Sequence, residues 1–184
     1  MDQLNPRARS DEYGSRINRS HSPLLANSVP YFTIVAGIIL PNLALTSAVP
    51  IIPPLGFMLL LAWRIVRPGV FPVWVGFPLG MVDDLFSGQP FGSAILLWSL
   101  AMIAIEIVEA RFPWRTYLQD WMTISVTISA YLIIAALISG AEIGLAGLMA
   151  LGPQILLSVL LFPIIARMVA RLDRFRLMRV KVIG

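Results

Sequence analysis

The chain has 184 residues, of which 58% are apolar and 13% charged, with a mean hydropathy of +0.81. A soluble domain carries about a quarter charged residues, so the long uncharged stretches here define a polytopic membrane protein. Cysteine is absent, which excludes disulfides, thiol nucleophiles and thiolate metal sites. The net charge of +4 does not point to nucleic acid, because the basic residues fall where a membrane protein's inner loops would carry them.

Residues 1–27 mix Arg, Ser, Asn, Asp and Pro without apolar periodicity, which predicts a disordered cytoplasmic tail and no cleavable signal peptide. Leu24 to Trp63 carries no charge and has room for two spans, turning at Pro50, Pro53 and Pro54. Pro68 to Val82 reads as a short third span, and Leu85 to Ile105 as a turn followed by a fourth. Trp121 to Ala141 makes a fifth and Ile143 to Ala166 a sixth. No alternating strand pattern suggests a barrel, so the expected fold is an all-α bundle of six transmembrane helices over residues 28–170. A basic juxtamembrane tail follows at 171–184.

All 14 Lys and Arg residues sit in the N-terminal tail, beside Arg64 and Arg67, beside Arg111 and Arg115, or from Arg167 onward. Six spans place every one of them on the same face, with both termini cytoplasmic, and leave Asp83, Asp84 and Glu142 on the opposite face. The C-terminal run interleaves Arg171, Arg174, Arg176, Arg179 and Lys181 with apolar residues. It reads as an anchor on anionic lipid or a docking site for a cytoplasmic partner.

Little here suggests catalysis. His21, the single histidine, lies in the tail, and no metal-ligand cluster, nucleophile motif or phosphate-cradling glycine loop is present. No cofactor is expected. Adjacent Asp83 and Asp84 project in different directions from a helix and cannot form an aspartyl dyad. They are either solvated groups ending a short helix, or one points inward and holds the turn that follows through Ser87, Gly88, Pro90 and Gly92. Glu106, followed by Glu109, either snorkels to the inner surface or pairs there with Arg64 and Arg67. Small residues recur at interface spacing, as at Gly76 and Gly80, and favour packing within the bundle over self-dimerisation.

The stretch "WRIVRPGVFPVWVGFPLGMVDDLFSGQPFGSAILLWSL" carries a resemblance. With Pro53 and Pro54 before it, its Trp63, Arg67–Pro68, Gly80, Asp84, Leu85, Gly88 and Gly92 resemble the motif of the MreD family of rod-shape membrane proteins, across residues 53–110. Asp84 occupies the family's acidic position, and Asp83 a position expected to be apolar. The resemblance implies a fold similar to the substrate-binding subunits of energy-coupling-factor transporters. It also implies a non-catalytic inner-membrane scaffold that binds MreC and acts with MreB, RodA and its penicillin-binding transpeptidase in lateral peptidoglycan synthesis. Gly80, Asp84, Leu85, Gly88, Pro90 and Gly92 would then form the structural turn or partner-binding element. A vitamin-type binding or transport subunit is the alternative, with Trp74 and Gln89 as the groups that would line its pocket.

Overall fold

The computed structural model describes residues 19–21, 23–44, 52–112, 116–140, 145–176 and 179–182. Among them six helices follow in order: α1 Pro23–Ala44, α2 Leu55–Val66, α3 Gly76–Phe86, α4 Ser93–Arg111, α5 Tyr117–Ile138 and α6 Leu145–Arg176. A 3-10 turn at Val73–Val75 leads into α3. The bundle is helical. Outside it, β1 (Arg19–His21) pairs antiparallel with β2 (Arg179–Val182), Arg19 opposite Val182 and Ser20 opposite Lys181.

Helix lengths differ from the expected spans. Ser93–Arg111, Tyr117–Ile138 and Leu151–Arg176 are long and apolar enough to cross a membrane, whereas α2 is a shorter apolar helix of 12 residues. The span expected from Pro68 to Val82 is corrected: Arg67 to Pro72 form a turn, and α3 is an 11-residue helix beginning at Gly76, about 16 Å long. Pro68 and Pro72 have no N–H to give a helix, and Gly69 sits at φ +89°, so the backbone turns before it coils. The first helix opens at Pro23, inside the stretch assigned to the tail, and α6 continues past residue 170 to Arg176. The turn at Pro50, together with Arg115 and Glu142, lies outside the described residues.

The shortness of α2 follows from its place. Every residue from Gly56 to Arg64 is buried, so this helix is wrapped by protein on all sides and need not match the bilayer. It packs against α1 and α6; α3 lies against α1 and α4, and α5 bridges α4 and α6. Phe57, Leu60, Leu61 and Trp63 form the centre of one continuous apolar core. Glycine allows the closest crossings. Gly37 of α1 meets Gly56 of α2, where an added Cβ would lie 3.3 Å from the Gly56 Cα. Two polar contacts pin the layers: the Trp63 indole N–H donates to the Thr33 hydroxyl at 2.9 Å, and the Gln154 amide donates to the Ile52 carbonyl at 2.8 Å.

Candidate functional site

The α3–α4 hairpin is built on two glycines and one carboxylate. Gly76 and Gly80 lie one turn apart on α3 and touch the backbone of α4. A Cβ at Gly76 would sit 2.8 Å from the Trp98 carbonyl oxygen, and one at Gly80 would sit 2.7 Å from that of Ala94. The small-residue spacing therefore serves packing inside the bundle.

At the open end of this hairpin, α4 begins at Gly92, whose φ of +97° suits glycine and which has no side chain to cap the helix. Asp84 supplies the cap from the preceding helix. Its Oδ2 accepts the Gly92 N–H at 2.9 Å and the Ile95 N–H at 3.1 Å; its Oδ1 accepts the Ala94 N–H at 2.8 Å and the Ser93 hydroxyl at 3.3 Å. The remaining N–H of that first turn, from Ser93, goes to the Pro90 carbonyl at 3.0 Å. Every donor that a helix start leaves open is thereby satisfied, and the buried carboxylate, 6% exposed, sits against the positive end of the α4 dipole. Gly88, at φ +68°, reverses the chain between Asp84 and its partners, and Gln89 accepts from the Ser93 hydroxyl at 3.3 Å.

Of the two adjacent acids, Asp84 points inward. Asp83 meets the Tyr131 hydroxyl of α5 at 3.5 Å. Tyr131 is buried and stacks on Phe57 of the central helix, ring centroids 4.2 Å apart, so Asp83 links the hairpin to the core. Leu85, by contrast, faces outward. It continues an exposed stripe formed by Phe77 and Met81 of α3 and Trp74 of the preceding 3-10 turn.

The opposite end of α4 carries a second polar assembly. Arg64, 5% exposed, donates to the Phe71 carbonyl at 2.9 Å, to Glu109 at 2.7 Å and to Glu106. Of the two readings of Glu106, snorkelling or pairing, the structure has it half exposed and paired with Arg64, with Glu109 as a second acceptor. Arg67 is corrected: its partner is Asp173 of α6 at 3.8 Å, because the turn after α2 directs it away from α4. Arg176 also departs from the expected lipid-facing row. It bonds Asp173 at 2.7 Å and lies over the Trp63 ring at 5.2 Å, buried, while Arg171 and Arg174 are exposed. Arg179 and Lys181 lie in β2.

Sequence reasoning did not find Tyr131 or Asp173, whose partners Asp83 and Arg67 are distant in the chain, nor Phe71, which acts through its backbone carbonyl and so leaves no side-chain signal. Trp74 and Gln89 do not converge on a pocket. They lie beyond opposite ends of α3, with Trp74 exposed and Gln89 engaged in the turn.

The family profile of the rod shape-determining protein MreD matches residues 19–175. The chain belongs to the MreD family. It is accordingly a rod shape-determining membrane protein, and its apolar helices fit that class. No curated protein and no solved structure matches the chain. Within this MreD-family chain, the matched region contains both polar assemblies: the Asp84 clamp at one end of α4 and the Arg64 cluster at the other.

Proposed function

We propose that this chain is a non-catalytic scaffold of the rod elongation complex. It binds MreC and, with MreB, RodA and its penicillin-binding transpeptidase as further members, helps organise lateral peptidoglycan synthesis. It resides in the bacterial inner membrane as a six-helix, multi-pass bundle with both termini cytoplasmic. The β1–β2 pairing, which brings the two ends of the bundle together, supports an even number of crossings. The Asp84 clamp at the start of α4 and Glu106 and Glu109 near its end lie about 20 Å apart along the helix, which fits their placement at opposite faces of the membrane.

One observation carries the scaffold reading. The Asp84 clamp locks α3 to α4 and holds the exposed stripe of Trp74, Phe77, Met81 and Leu85 in a fixed orientation. A preorganised apolar helix face is what a partner's membrane helix packs against, since little ordering remains to oppose association. Asp84→Ala should leave membrane insertion intact and reduce MreC recovered by affinity capture several-fold. Normal MreC recovery at normal abundance of the variant would sink this reading.

A further inference from the structure

A cavity of about 340 Å³ opens between α5 and α6 at the arginine-rich end of the bundle, floored by the last turn of α2. Its depth is apolar, formed by Ile65, Phe162, Pro163 and Ala166, and its rim is amphipathic, with Tyr117, Trp121, Asp120 and Arg167. The gap is held open by a specific contact. Pro163 has no N–H, so the carbonyl of Val159, four residues earlier, loses its helical partner. The Trp121 indole N–H takes that carbonyl at 3.4 Å and fixes the spacing between the two helices.

The charge beside this cavity is ordered. Arg167, Arg171 and Arg174 are exposed and stand at i, i+4 and i+7, one face of α6 leading away from the rim. Arg176 is excluded from that face by Asp173 and Trp63. At the rim itself Arg167 stands with one carboxylate, Asp120, and the exposed Arg171 and Arg174 continue the same face of α6 beyond it, so the Arg167 side favours an anion. An interfacial Trp and Tyr beside an apolar slot and a cationic row fit a phosphate headgroup with its hydrocarbon below.

We propose that this cavity is a defined binding site for one anionic glycerophospholipid, its phosphate on Arg167 with Arg171 adjacent and one acyl chain along Phe162, Pro163 and Ala166. This goes beyond the scaffold reading and requires only that the chain is embedded in a membrane, so loss of MreC capture and loss of lipid retention are separate failures.

Native mass spectrometry of the full chain in detergent, titrated with phosphatidylglycerol or phosphatidylethanolamine, tests the site. The wild type should retain phosphatidylglycerol in preference. Arg167→Gln, an exposed position, should lower its retention about fivefold, the effect of one interfacial cation. Ala166→Phe, which fills the slot, should lower retention of both lipids, and the folded state of each variant is checked by gel filtration. Equal retention of the two lipids by the wild type, or undiminished phosphatidylglycerol binding by folded Arg167→Gln, would overturn the proposal.

Discussion

The two polar assemblies at the ends of α4 solve opposite electrostatic problems. At one end a buried anion, Asp84, is met by backbone N–H groups and a hydroxyl, all neutral and all supplied within eleven residues of chain. At the other a buried cation, Arg64, is met by a carbonyl seven residues away and by two carboxylates 42 and 45 residues away. The first assembly is a cap: it completes a helix start that would otherwise expose open donors in an apolar setting. The second is a tie: it holds α2, the Arg67–Pro72 turn and α4 together, and balances its own charge only through tertiary structure. A cap of neutral donors tolerates partial loss, because weakening it leaves hydrogen-bond donors rather than charges without partners. A buried tie does not, because removing one partner strands the others.

The largest expected effect lies in the packing that brings both ends into register. Gly80→Leu places a side chain into the Ala94 carbonyl, and since backbone cannot yield there the hairpin should not form. Gel filtration in detergent should show little monodisperse protein; a well-folded variant would show that the α3–α4 crossing is looser than described. Next comes the tie. Arg64→Met leaves Glu106 and Glu109 without their cation and should cost about 3 kcal/mol, the low end for breaking a buried pair because Glu106 is half exposed. Adding Glu106→Gln and Glu109→Gln should recover part of this loss in thermal unfolding, and absence of any recovery would mean that charge is not what the residues share.

The cap should respond less. Asp84→Asn keeps the shape and one acceptor, but it gives up the charge facing the α4 dipole and turns an NH2 toward donors that the lost oxygen accepted, for about 2 kcal/mol. A loss as large as that of Arg64→Met would erase the distinction between cap and tie. The smallest effect belongs to the long Asp83–Tyr131 contact. Tyr131→Phe keeps the stacking on Phe57 and should change thermal stability by less than about 1 kcal/mol.

The same contrast explains what could be read before the fold was known. Gly80, Asp84, Gly88 and Gly92 form a local unit, so spacing alone announced a carboxylate followed by a glycine turn, and one acid of the pair turns inward as that spacing allowed. The pair of Arg64 with Glu106 was accessible because charge is rare in apolar helices and both residues fall at one end of the bundle. The partner of Arg67 was not accessible: Asp173 lies in a basic run whose charge pattern suggests a solvated surface, and the fold of α6 over α2 brings it near. Arg176 was hidden for the same reason, its environment being Trp63 of another helix. The third span is shorter than its apolar run suggests, because a run bounded by charges resembles a helix even where Pro68 and Pro72 hold the first part as a turn.

By itself the sequence determined the membrane class and the turn that carries Asp84, because composition and short-range spacing act through the chain's own neighbours. The tertiary structure alone decided which helix is buried on all sides, which arginines face inward, and where Trp121 meets the carbonyl that Pro163 leaves open. Those outcomes depend on contacts between residues dozens of positions apart, and no local pattern specifies which of several apolar faces will meet.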